Sequence, residues 1–179
     1  RVATVLRANG IESFAVATRS EAVRLRKAGF LLEEIMVLSP IPEPYIDTII
    51  EHRLSPVVCD YKNAEAISKA AAAAGIIIKG YIAVDTGMSR IGIHPDDEGL
   101  SFVARAMQCP NLSIDGIFTH FATADEADKS KTNVQYEKFS SFTDRVEKEL
   151  SLKIPLRHCS NSASILELPN MHMDAVRAG

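Results

Sequence analysis

The sequence predicts an α/β fold, a (β/α)8 TIM-type barrel that is incomplete within these 179 residues. Three observations lead there. Short β-rich apolar runs recur, with segments of helical period between them, the alternation that builds parallel sheets. Several runs lack strict polar–apolar alternation, as strands buried on both faces do. No GxGxxG or GxxxxGK[ST] phosphate loop interrupts them, which favours a barrel over a doubly wound nucleotide-binding sheet.

The elements follow in order. The capless run Arg1–Asn9 reads as the tail of a helix, and Phe14–Ala17 as the first strand. Thr18-Arg19-Ser20-Glu21 matches a capping box, and Gly29 closes the helix it opens, at a position where positive φ is cheap. After the strand Ile35–Leu38, a helix follows Pro44 and ends near Arg53. The strand Pro56–Asp60 leads to a helix from Asn63 to Ala74, with Ala64, Ile67, Ala71 and Ala74 on one face and Gly75 as its stop. Tyr81–Asp85 and Ile114–His120 are the next two strands. The longest helix spans Asn133–Leu150, with Val134, Phe139, Phe142, Val146 and Leu150 as its apolar stripe. Leu156–Ser160, a short helix Ala163–Leu168 and Ala175–Arg177 complete the chain. Seven strands do not close an eight-stranded barrel, so the expected domain is a partial barrel, truncated at both ends.

Composition narrows the function. With 46% hydrophobic residues and a net charge of −3, the chain suits one domain with an apolar core and not a disordered one. No basic field is present to attract nucleic-acid phosphates. Cys59, Cys109 and Cys159 are scattered and form no CxxC, pointing to reduced thiols and a cytoplasmic setting. The most apolar window, Ala70 to Val84, is broken by Gly75, Lys79 and Gly80, too short a run to span a bilayer. His52, His94 and His172 lack ligand spacing such as HExxH, so no metal site is expected.

In a barrel, the residues just after each strand form the active-site rim. Those positions hold Asp85 and Arg90, His120, Asn161 and Ser162, and finally Arg177 and Gly179. Cationic and neutral donors converging on one rim suit a phosphorylated, anionic ligand. Taken singly, each has a plainer reading: Asn161 and Ser162, for example, could simply cap the helix after them. Together, such residues at successive strand ends carry more weight.

Four blocks closely resemble those of alanine racemases. They are Val84-Asp85-Thr86-Gly87-Met88-Ser89-Arg90-Ile91-Gly92, Thr119-His120-Phe121-Ala122-Thr123-Ala124-Asp125-Glu126, His158-Cys159-Ser160-Asn161-Ser162-Ala163-Ser164-Ile165-Leu166 and Val176-Arg177-Ala178-Gly179. The resemblance implies a pyridoxal-phosphate (PLP) isomerase with an N-terminal barrel, a C-terminal β domain and sites shared across a homodimer. This chain, residues 1–179, resembles part of that barrel domain, without the C-terminal β domain, the Schiff-base lysine block or the catalytic tyrosine. It is therefore expected to be inactive alone. The implied activity is interconversion of L- and D-alanine, supplying D-alanine for peptidoglycan.

By the same resemblance, Arg90 lies near the substrate carboxylate and the cofactor's phenolic oxygen, and His120 packs by the pyridine ring. Arg177 contacts the pyridine nitrogen, Leu38 lines the pocket, and Asn161, Ser162 and Gly179 lie on the phosphate side. One departure matters: Ala83 stands where many members carry a lysine, often carbamylated, two positions before the Asp of the Asp-Thr-Gly motif. A serine or broad-range racemase is therefore an alternative, as are a basic amino-acid decarboxylase and a non-catalytic PLP-homeostasis module on the same barrel.

Overall fold

The computed structural model describes residues 1–179, in which seven parallel strands pair in chain order as a half-barrel. They are β1 (Ser13–Val16), β2 (Glu34–Pro40), β3 (Ser55–Val58), β4 (Ile78–Ala83), β5 (Leu112–Phe118), β6 (Arg157–Ser160) and β7 (Ala175–Val176). The helices are α1 (Val2–Ala8), α2 (Arg19–Lys27), α3 (Ile46–His52), α4 (Tyr61–Ala73), α5 (Asp97–Ala106), α6 (Ser130–Glu149) and α7 (Ser162–Glu167). Short 3-10 turns at Glu43–Tyr45 and Pro169–Met171 lead into α3 and towards β7.

Local chemistry sets several boundaries. The Thr18–Glu21 capping box forms reciprocally, with Thr18 N–H donating to Glu21 at 2.9 Å and Glu21 N–H donating to Thr18 Oγ1 at 3.3 Å. Gly29 takes φ 89° just beyond α2, as expected. Asp60 caps α4 by accepting from Lys62 N–H at 2.7 Å, so this helix starts two residues before the expected Asn63. All seven strands occur where apolar runs predict them, but five end earlier than expected, the first by one residue at Val16. Asp60, Asp85, His120 and Arg177 lie beyond their strands, because their polar groups serve caps, loops and the rim.

Two helix faces need correction. Ala74 is exposed, and Ser68 joins Ala64, Ile67 and Ala71 on the buried side of α4. On α6, Val134 is 48% exposed while Thr132 and Gln135 face inward with Phe139, Phe142 and Val146. Apolarity alone misassigns this turn, because the inner face there meets polar rim loops. The sequence reading assigns no element to α5, whose start is capped by Asp96 accepting from Gly99 N–H at 2.9 Å.

Strand periodicity sorts side chains into two layers. Ile35, Val37, Val58, Ile82, Ile117 and Cys159 pack outward with the helices, in two clusters centred on α2–α4 and on α5–α6. Met36, Val57, Tyr81, Ala83 and Phe118 point to the other face and form the barrel interior. Adjacent residues His158 and Cys159 thus divide between layers: His158 stacks on Phe118 at 5.1 Å, and Cys159 joins the helical layer.

Candidate active site

The loops at the C-terminal strand ends bring the predicted residues together. Leu38, Ala83, Met88, Arg90, Phe118 and His120 line one cleft at the mouth of the half-barrel. Arg177 adjoins it through His120, and Ser162 meets Gly179 on the neighbouring strand ends.

The loop carrying Arg90 is closed on itself. Ile93 N–H donates to Ala83 O at 2.9 Å and Asp85 N–H to Ile93 O at 2.8 Å, pinning both ends. Within it, Asp85 Oδ1 accepts from Gly87 N–H at 2.9 Å and Ser89 N–H at 3.0 Å. Partial burial opposes the charge, yet the amides of Ser89, Gly87 and Met88 hold this carboxyl below its ordinary range. Gly92, at φ 121°, has no room for a side chain: an added Cβ would lie 2.6 Å from Asp85 N and 2.9 Å from Ala83 O. Arg90 itself projects exposed from this loop and forms no salt bridge.

Arg177 is the most constrained cation of the site. One amino group contacts His158 Nδ1 at 2.6 Å; the other donates to Thr119 O at 2.8 Å and Cys159 O at 3.2 Å, with His120 Nδ1 at 3.4 Å. Because a guanidinium only donates, both imidazole Nδ1 atoms are acceptors and the proton of each neutral ring sits on Nε2. No carboxylate pairs with Arg177. Burial foremost, with the Arg90 charge adding to it, lowers its pKa to about 10. It stays charged at neutral pH.

The two imidazoles answer the same field. Burial, then Arg177 and Arg90, bring the His120 pKa down to about 4, while burial and Arg177 bring that of His158 to about 3. His158 is 2% exposed, and its Nε2 has no partner. Sequence reasoning left His158 out of the site, although its place on a buried strand two residues before Ser160 marks it as inward-facing. It orients Arg177.

Asn161 and Ser162 divide in role. Asn161 Oδ1 caps α7 by accepting from Ser164 N–H at 3.2 Å, the plainer of its two sequence readings. Ser162 Oγ donates to Gly179 O at 2.7 Å, and its oxygen lies 3.2 Å from Gly179 N–H. Both Ser162 and Gly179 are exposed on the rim. Two unneutralised arginines, apolar walls from Leu38, Met88 and Phe118, and the exposed Ser162–Gly179 pair, whose donors bond each other until an anion takes them, suit a planar, anionic, phosphorylated ligand. The set offers no cluster of thiolates, imidazoles and carboxylates for a metal.

Comparison with known proteins bears on the same residues. The family model for the alanine racemase N-terminal domain matches residues 1–179. An alanine racemase of Clostridium tetani is 39% identical over 99% of this chain and 46% of its own length. Alanine racemase 1 of Clostridium acetobutylicum is 43% identical over 99% of this chain and 46% of its own. The chain thus spans about half the length of the curated relatives it matches. Among solved structures, Clostridium difficile 630 alanine racemase in complex with cycloserine superposes with a TM-score of 0.95 at 31% identity, over 99% of this chain and 48% of that one. A histidine racemase of Leuconostoc mesenteroides, at 24% identity and TM-score 0.87 over 99% of this chain and 46% of its own, shares the fold.

Proposed function

The chain belongs to the alanine racemase N-terminal domain family, and from that membership we propose that it forms the cofactor-binding barrel of a PLP-dependent racemase interconverting L- and D-alanine. The intact protein would supply D-alanine for peptidoglycan, acting as a cytoplasmic homodimer. No helix is long and apolar enough to cross a membrane, which accords with that setting. The observation that carries the reading is Arg177: a guanidinium without a carboxylate, fixed by His158 and the Thr119 and Cys159 carbonyls beside His120.

PLP, when bound, supplies the electron sink that acidifies the substrate's α-carbon. Residues of this chain would hold and tune it. Ser162 and Gly179 offer donors to its phosphate, with Asn161 fixing the helix end beneath them. Leu38 would wall the ring, and Arg177 would lie toward the pyridine nitrogen. A guanidinium there would oppose a second positive charge on the ring nitrogen. Arg90 pairs with the substrate carboxylate. His120, neutral at physiological pH, keeps an acceptor toward Arg177 and a donor on its other nitrogen. The lysine and tyrosine expected to exchange the α proton are not supplied by these residues.

A second reading follows from Ala83, which lines the cleft immediately before the block that carries Arg90. Without a carbamylated lysine there, the site would lack the carbamate as an anionic partner for Arg90 and accept serine or a broader range of amino acids.

The test is racemisation by the intact protein with PLP, followed as loss of optical rotation from L-alanine, D-alanine and L-serine. Interconversion of alanine is expected. Rotation unchanged for alanine and serine alike refutes the reading, and serine turnover above alanine selects the second. Arg177→Glu should lower turnover while raising net conversion of alanine to its keto acid.

A further inference from the structure

Helix α6 brings to the rim a side chain that belongs to none of the four blocks: Gln135, 4% exposed. Its Oε1 accepts from Ala122 N–H at 2.9 Å, and its Nε2 donates to the His120 carbonyl and to Thr86 Oγ1, both at 3.2 Å. The partners fix the amide's orientation, because a backbone N–H only donates and a carbonyl only accepts.

From Thr86 the hydrogen bonds run in one direction. Thr119 Oγ1 donates its single proton to Val84 O at 2.8 Å, so it accepts across its 2.8 Å contact with Thr86 Oγ1. Thr86 therefore donates to Thr119 and accepts from Gln135. Both hydroxyls are buried, and both are fully used.

Two rim loops meet at this amide. Thr86 anchors the loop that carries Arg90, whose backbone passes through positive φ at Gly87, Ser89 and Gly92. His120 and Ala122 belong to the loop after β5. No backbone hydrogen bond joins residues 86–92 to residues 120–124; the polar links between the two loops are the buried amide and the Thr86–Thr119 hydroxyl contact that it feeds. Arg90 and His120 line one cleft, and a misplacement of about 1 Å in such a pair can cost about a hundredfold in rate.

Building on the racemase reading, we propose that Gln135 is a positioning residue for the reaction: its amide sets the Arg90 loop and the His120 loop in register. It acts through Thr86 and the His120 backbone and touches neither reacting group.

The experiment uses the intact, PLP-loaded protein and two variants. Gln135→Met keeps side-chain length and removes all three bonds; Thr86→Val keeps shape and removes the hydroxyl relay alone. Amide hydrogen exchange should rise together in residues 85–92 and 119–124 for Gln135→Met, and in 85–92 only for Thr86→Val. The kcat for alanine should fall about tenfold or more for Gln135→Met, with PLP affinity unchanged because Ser162 and Gly179 lie on other loops. Unchanged kcat, or exchange that rises evenly through the outer helices, overturns the proposal. If Gln135→Met does not fold, Thr86→Val decides: selective exchange in 85–92 with lowered kcat supports it, and wild-type exchange there overturns it. If the variants show the exchange pattern but the wild-type protein does not racemise alanine, the link between loops stands and only the assigned reaction is refuted.

Discussion

Replacing His158 by Phe tests whether the interior histidine is held neutral by its surroundings. The variant keeps a ring against Phe118, which His158 stacks at 5.1 Å, and against Tyr81 at 6.0 Å. It loses the 2.6 Å contact with Arg177, while the guanidinium keeps Thr119 O at 2.8 Å and Cys159 O at 3.2 Å. A hydrogen bond to a charged group contributes about 1.5–3 kcal/mol, and removing the unpartnered Nε2–H returns about 1 or more, leaving a net cost of about 1 kcal/mol at pH 8.

Acid changes the sign. The folded pKa of about 3 lies below the ordinary 6.5, so between these values the unfolded chain binds a proton that the folded one does not. Wild-type stability therefore falls with pH by up to about 1.4 kcal/mol per unit in that window. The variant has no such group, and His120 contributes equally to both proteins. The two stability curves should cross between about pH 6 and pH 5, within a unit or so of the unfolded pKa. Equilibrium denaturation of both intact proteins from pH 8 to pH 4 measures this. A difference that stays constant across the range refutes a neutral, buried His158.

Two further outcomes follow from the rim and the interior. Asp85→Ala should raise KM for alanine several-fold by freeing the Arg90 loop, whereas Asp85→Asn, which keeps the acceptor for Gly87 and Ser89, should stay near wild type; steady-state kinetics on both variants checks this. Tyr81→Phe removes the 2.9 Å bond from the Tyr81 hydroxyl to Glu34, which also accepts from Ser55 at 3.0 Å, and should cost about 1–2 kcal/mol in denaturant unfolding.

Much of this architecture was legible in residues 1–179. Apolar runs located all seven strands, and Thr18, Glu21, Gly29 and Gly75 marked helix ends through chemistry that acts over four residues. As neighbours on one strand, His158 and Cys159 part to opposite layers by simple alternation. What escaped is long-range. Gln135 reads as one more polar residue on an amphipathic helix, and only the arrival of Thr86, His120 and Ala122 from distant segments makes it a buried hub. Asp96 and Gly99 open α5 through a cap, but Pro95 and the surrounding charges resemble a loop when read alone. Asn161 illustrates a limit of another kind: one side chain suits both a cap and a phosphate site, and its contact with Ser164 N–H favours the cap.

The sheet order has a consequence for how such a molecule is made. Each strand pairs only with its immediate predecessor and successor in the chain, so no strand waits for a partner synthesised much later. As the polypeptide emerges from the ribosome, each new βα unit can dock on an edge already in place, and contacts of short sequence separation form quickly. The rim loops are different. The Thr86–Gln135 bond spans 49 positions, so the Arg90 loop acquires its final setting only after α6 has been translated. Vectorial assembly would build the scaffold strand by strand and leave the chemistry of the rim among the last features to set.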